Sequence, residues 1–415
     1  MRILKTTQTY YPYLGKGGPP VKIRGLANAL ARRGHEVTVL TADLGKSDGA
    51  SDLVDCTRNQ TAWGWESRID VVEAIYLTTL TNYRATTINL GVRSFCSRRL
   101  PDYDAVHVYG LYDLIGSTVA WFCRRSGIPY VLEPLGMFGP KVRSRQKKRL
   151  YNRVIGNALF EGATVVVATS ESERLELIEG GIPAEKVVLR RNGIDLSDFK
   201  TLPARGAFRA KLSLSPIEPF VLFLGRISFI KGLDILVQAF AKVGTRSRLV
   251  IAGPDDNDGC LQRIRGLIAE LGLAERVILT GPLYGIDKLQ AFVDADLFVL
   301  PSRHESFGNA AAESIACSTP VLVTDRCGIA TLVEQRVGLV VECNIESLSD
   351  GLTRLVADKA LLDRLREGCA DLAVNLSWDE PVEQMESLYA SIGASNFELR
   401  ICQTGTARSN RNQRK

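Results

Sequence analysis

Glu305 and Glu313 flank a glycine in the stretch His304-Glu305-Ser306-Phe307-Gly308-Asn309-Ala310-Ala311-Ala312-Glu313, which follows an apolar run ending at Leu300 and continues into Ser314-Ile315-Ala316-Cys317. An apolar run, a short polar loop and an alanine-rich segment predict a strand, a turn and a helix start. The amides of Phe307, Gly308 and Asn309 at such a start have no partner inside the helix and suit an anion such as a diphosphate. Each amide bond to a charged oxygen is worth about 1.5–3 kcal/mol. Glu305 in the loop and Glu313 just over a turn into the helix reach different parts of a single ligand. An acceptor-only carboxylate fits the paired hydroxyls of a sugar or a ribose. Two cations, Arg226 and Lys231, follow the apolar run at 220–224, on the edge where open α/β sheets bind ligands. Fixed cations there stabilise charge gathering on a departing phosphate without reorganisation. Taken singly, such acids and cations are ordinary solvated surface groups. Their spacing after strand ends is what gives them chemistry.

Elements that could hold these groups recur along the chain. Apolar runs of four to six residues alternate with segments of helical period, the pattern of parallel strands covered on both faces by helices. The fold class is therefore α/β. Strands are expected near 2–6, 36–41, 105–109, 129–133, 164–168 and 186–190, with helices near 20–33, 113–126, 144–160 and 171–180. Pro203, Gly206, Ser213, Ser215, Pro216 and Pro219 interrupt the pattern, which resumes with strands near 220–225, 249–253, 276–280, 297–300 and 320–324. Two Rossmann-like domains follow: 1–196, joined by a returning helix within 377–392, and 217–376, facing across a cleft. Residues 393–415 are polar and Arg-rich and are expected to be a disordered basic tail.

Composition narrows the function. A chain of 415 residues with 45% hydrophobic and 24% charged residues is neither a fibrous repeat nor a disordered protein. Nine scattered cysteines form no C-x-x-C pair, which is the usage of reduced cytosolic thiols. No apolar run approaches the roughly 18 residues of a membrane span, so the expected location is cytoplasmic. The net charge of +6 is concentrated: 134–160 carries seven cations and no acid, 393–415 carries five cations against Glu398, and the remainder is net acidic. A nucleic-acid partner is not expected. Within the first concentration, Lys141, Arg143, Arg145, Lys147, Lys148, Arg149 and Arg153 lie over an apolar stripe of Leu150, Val154, Ile155 and Leu159. A charge run is usually a solvated face, but a basic amphipathic helix at 141–153 also suits an anionic membrane surface, on the inner face of the cell membrane.

The E-x7-E spacing in H-E-S-F-G-N-A-A-A-E resembles the signature of retaining family 4 glycosyltransferases, which have the GT-B fold. Further segments agree in order: Tyr11-Pro12, Gly17-Gly18, Gly34-His35-Glu36-Val37, Asn192-Gly193-Ile194-Asp195, Leu224-Gly225-Arg226 and Lys231-Gly232. The likeness covers residues 1–392 or so. It implies a nucleoside-diphosphate sugar as donor and a glycan or lipid-linked hydroxyl as acceptor, in surface polysaccharide or glycolipid biosynthesis. It implies no cofactor and no metal, Arg226 and Lys231 replacing a divalent ion. Catalysis would fall to Glu305, Arg226 and Lys231. Donor binding would involve Gly17, Gly18, Arg226, Lys231, Glu305, Ser306, Phe307, Gly308, Asn309 and Glu313. The pair Asp294 and Asp296 ends a helix and enters a strand, so capping rather than metal binding is expected of it. The sequence departs from the family at Leu135, where many relatives have a histidine before Gly-Met; His107, Tyr109 and Glu133 are the candidates for the acceptor side. That departure also supports an alternative, a catalytically silent nucleotide-sugar-binding or scaffold protein on the same fold.

Overall fold

The computed structural model of the chain describes residues 1–13, 18–45, 57–83, 86–138, 155–215, 217–244, 246–334 and 336–393. The basic stretch 141–153, the tail from 394 on and Gly17 lie outside them. The chain divides into two compact units, Met1–Arg191 with the chain from Trp378 on, and Asn192–Ser377.

The first unit is built on a nine-stranded sheet. From one edge its strands are Val187–Leu189, Val165–Ala168, Tyr130–Glu133, Ala105–Tyr109, Arg2–Thr6, Glu36–Ala42 and Val72–Leu77, all parallel, then the antiparallel Gly64–Ile69 and Asn59–Thr61. The central strands are apolar because both faces are covered, and alternate residues sort into two cores. Leu4, Leu40, Val106, Val108 and Leu132 face the helices Gly91–Arg99 and Leu114–Ser126. Ile3, Val37, Ala105 and Val131 face the helix Gly18–Arg32 and the helix over 379–393, through Leu26, Met385 and Tyr389. Asp113 starts Leu114–Ser126 by accepting the Ile115 and Gly116 amides at 3.0 and 3.1 Å, and Gly127, at φ 66°, ends it.

The second unit has a six-stranded parallel sheet in the order Val277–Gly281, Arg248–Ala252, Phe220–Leu224, Leu297–Leu300, Val321–Thr324, Gly338–Val341. Order reverses between Phe220–Leu224 and its neighbour Leu297–Leu300, so the loops after these two strands open a crevice at their carboxyl ends.

The expected domain bounds are corrected. The interrupted stretch 197–217 is not a bare linker: Phe208 and Leu214 are buried in the second unit's core, and the helix Ala207–Lys211 is fixed by Asp294, which accepts the Phe208 and Arg209 amides at 2.7 and 2.8 Å. The capping expected of Asp294 is thus made to a helix distant in sequence, while Asp296 holds Arg209 at 2.6 Å. Residues 192–196 also belong to the second unit, where the Ile194 amide donates to the Leu376 carbonyl at 2.8 Å. Of the helix expected over 144–160, the described part is Asn157–Gly162.

Candidate functional site

Phe220–Leu224 delivers Arg226 and Lys231 to the crevice through a loop and the short turn Phe229–Lys231. Gly232 follows at φ 67°, and a Cβ there would stand 2.0 Å from the Pro301 carbonyl oxygen. Only glycine lets this turn lie against the end of Leu297–Leu300. Arg303 fastens it further, donating to the Phe229 carbonyl at 2.7 Å and to both Asp234 oxygens at 2.7 Å. The Lys231 ammonium therefore meets the Glu305 carboxylate as an ion pair, with side chains 18% and 19% exposed.

Glu305 is held by its backbone. Its amide donates to the Arg326 carbonyl at 3.0 Å and its carbonyl accepts from the Gly328 amide at 2.9 Å, tying the loop to the one after Val321–Thr324. Phe307 is buried, and its carbonyl accepts from the Ile329 amide at 2.7 Å. Gly308, at φ 115°, begins the helix Asn309–Ala316; a Cβ there would press on Ile329 at 3.1 Å. Ser306 and Asn309 are half-buried, and the Asn309 side chain accepts from Asn192 at 3.2 Å. On the helix, Glu313 pairs with Lys288 at 3.0 Å, and on the other rim Arg226 pairs with Asp256 at 2.7 Å.

The structure thus brings Lys231 and Glu305 into contact, and sets Arg226 and Glu313 in separate ion pairs. Asp256, Lys288, Asp234 and Arg303 are partners that sequence reasoning missed; only Arg303, directly before His304-Glu305, carried a positional hint. Each pair is partly exposed, so a charged ligand can replace the partner. Oppositely charged groups next to one another leave the crevice nearly neutral. Among the described residues no three His, Cys, Asp or Glu side chains gather as a metal site requires.

In the first unit, Gly18 is exposed at the start of Gly18–Arg32. Tyr109 and Glu133 end their strands and His107 lies mid-strand, and none of the three is on an open face. Their exposures are 0%, 1% and 0%. The alternation that turns Ile3, Ala105 and Val131 under the helices turns Lys5, His107, Tyr109 and Glu133 the same way. Glu133 pairs with Lys22 and, at 2.6 Å, with Arg190. Lys5 donates to Tyr109 Oη at 2.8 Å, and His107 Nδ1 lies 2.7 Å from Tyr389 Oη. Burial lowers Lys5 well below its usual range, Lys22 to about 8 and His107 to about 3. Burial would raise Glu133, but Arg190 and Lys22 hold it well below the ordinary carboxylate range. This is a closed ionic network, and the acceptor-side expectation for these three residues meets no exposed group there. Leu135, half-buried, sits at φ 58°, a backbone state costing a branched residue about 1 kcal/mol. The turn is fixed by the buried Glu173, which accepts the Gly136 amide at 2.6 Å and the Thr169 amide at 2.8 Å.

Comparison with known proteins adds to this geometry. The family model described as "Glycosyl transferases group 1" matches residues 205–370, and "Glycosyl transferase 4-like domain" matches 17–193. The chain is 28% identical to a D-inositol 3-phosphate glycosyltransferase of Xylanimonas cellulosilytica, over 90% of this chain and 91% of that one. It is 33% identical to the Nocardia farcinica protein of the same name, over 71% and 68%. Among solved structures, sucrose-phosphate synthase of Thermosynechococcus elongatus superposes with a TM-score of 0.75 at 24% identity, covering 95% of this chain and 99% of that one. Anabaena HepE, solved with UDP and glucose, gives 0.75 at 20% identity over 94% and 100%.

Proposed function

This chain belongs to the group 1 glycosyltransferases, with the GT-B fold, and on that premise we propose that it moves a sugar, with retention, from a nucleoside diphosphate to a hydroxyl of a glycan or lipid-linked acceptor. The observation that carries this reading is the crevice of the second unit, where Lys231 meets Glu305 beside the start of Asn309–Ala316. Arg226 and Lys231 bind the diphosphate, Glu313 the ribose, and Glu305, Ser306 and the amides of Phe307, Gly308 and Asn309 the sugar and phosphate. Gly17 and Gly18 contribute the first unit's share of donor binding. In the transfer the bond from the anomeric carbon to the phosphate oxygen breaks, and a bond to the acceptor oxygen forms on the same face. The acceptor's proton passes to the departing phosphate. Cations fixed by a glycine-bound turn need not reorganise as that charge develops. The reading includes no metal and no cofactor.

Support for a nucleotide ligand comes from neighbours in fold: HepE was solved with UDP-glucose, and the starch synthase IV catalytic domain of Arabidopsis thaliana with ADP and acarbose. The acceptor class places the enzyme in surface polysaccharide or glycolipid biosynthesis, with 141–153 resting on an anionic cytoplasmic membrane face. No helix among the described residues is long and apolar enough to cross a membrane.

A thermal-shift panel of UDP, GDP, ADP and CDP, followed by the matching sugar donors, tests the reading, because a specific ligand raises the melting temperature by mass action. One nucleotide should stand out, and its sugar conjugate should be turned over. A flat response to all four sinks the proposal, and binding without turnover supports the silent alternative.

A further inference from the structure

One flank of the first unit combines arginines with exposed apolar side chains and almost no acids. Residues 78–101 and 114–132 contain no Asp or Glu. The helix Gly91–Arg99 carries Arg93, Arg98 and Arg99, and the helix Leu114–Ser126 carries Arg124 and Arg125. The two helices pack side by side. Between them and Ile155 runs a groove of about 430 Å³, lined among others by Arg93, Trp121, Phe122 and Arg124. Trp121 is 49% exposed, with the Arg125 guanidinium 5.7 Å from its ring centroid. Leu90, 67% exposed, precedes Arg93 by three positions in helical backbone and so shares its face. Asp102 lies 3.6 Å from Arg99, and the exposed Glu161 follows Ala158 and Leu159 of the groove wall.

Ordinary solvated surfaces intersperse both signs of charge and keep large apolar groups scattered. A second copy docked through the same face would set arginine against arginine. Nucleic acid would engage the arginines but leave Leu90 without a partner. Anionic lipid uses every group present: guanidinium on phosphate, tryptophan at headgroup depth, and aliphatic carbon beneath.

The geometry points to a membrane-docking face, in which the helices Gly91–Arg99 and Leu114–Ser126 lay Leu90 and Trp121 into the interface of an anionic phospholipid bilayer while Arg93, Arg124 and Arg125 bind headgroup phosphates. Docking through this face does not depend on which sugar the enzyme transfers.

Flotation of the full chain, without donor, on vesicles of phosphatidylcholine alone or mixed equally with phosphatidylglycerol tests the assignment. Binding should require the anionic lipid and weaken with salt. Arg124→Glu with Arg125→Glu should lower the bound fraction about tenfold, and Trp121→Ala several-fold. Lipid with brominated chains should quench the tryptophan emission of the wild type far more than that of Trp121→Phe, a variant that keeps an aromatic ring at the site. Failure to float on either vesicle overturns the assignment. So does binding that survives these substitutions and is lost on Lys147→Glu with Lys148→Glu, which places docking at 141–153 instead. Arginine-dependent binding to RNA in place of vesicles also overturns it.

Discussion

Charged side chains collect near the carboxyl ends of parallel strands in both units, with opposite consequences. In the first unit Lys5, Lys22, His107, Glu133 and Arg190 are sealed between the sheet and two helices, each 5% exposed or less. In the second, Lys231 and Glu305, Arg226 and Asp256, and Lys288 and Glu313 pair at a crevice where their side chains are 13–38% exposed. A sealed pair has no access to a ligand; removing one partner leaves an uncompensated charge in low dielectric. A half-exposed pair contributes little to stability and exchanges its partner for a ligand at small cost. Position on a strand is thus a weak guide to function, and which face is roofed decides.

The sharpest way to break this contrast is Glu133→Ala. It should destabilise the chain by about 3–5 kcal/mol in urea unfolding, and a loss near zero would mean that the network is not held by charge. Glu133 titrates below its unfolded value, so its contribution is present above the ordinary carboxylate range and is lost as pH falls through the folded value. Glu133→Gln should therefore flatten the acid limb of stability against pH. Next in size, Lys231→Ala should lower kcat/KM by about a hundredfold while the unfolding midpoint stays put; a shifted midpoint would move Lys231 into the structural class. Glu313→Ala should weaken nucleotide binding about tenfold by calorimetry, as expected for a lost charged hydrogen bond, and unchanged affinity would detach Glu313 from the ligand. The last effect, smallest when read near neutral pH, concerns Lys22. Burial lowers it to about 8, below its unfolded value, so the unfolded chain binds the extra proton between the two. Stability should gain up to about 1.4 kcal/mol per pH unit above pH 8 from this group, a slope absent in Lys22→Met.

Much of this was legible because strands buried on both faces spell themselves as apolar runs: Phe220–Leu224 and Leu297–Leu300 stand where the sequence places them. The antiparallel edge did not, since Gly64–Ile69 reads Trp65-Glu66-Ser67-Arg68 with one side toward solvent and no continuous run. Glu305, Glu313, Arg226 and Lys231 were singled out by their spacing after strand ends. Their partners Asp256 and Lys288 come from a loop and a helix with no spacing rule to mark them. His107, Tyr109 and Glu133 were misplaced because a strand shows that its alternate side chains part company, but not which side a helix returning from 379–393 will roof. The arginine and tryptophan flank is written as an absence of acids over two separate segments, and only helix packing makes those segments one surface.

Tyr389 Oη reaches Lys5 Nζ at 3.4 Å across a separation of 384 residues. During synthesis the second unit, ending at Ser377, is therefore fully translated while the first still lacks its final helix. The half of the protein made first is finished last, with Lys5, His107 and the Ile3 and Val131 face waiting on the ribosome for their cover. A stop codon or fusion placed shortly before 379 would damage the unit at the opposite end of the gene.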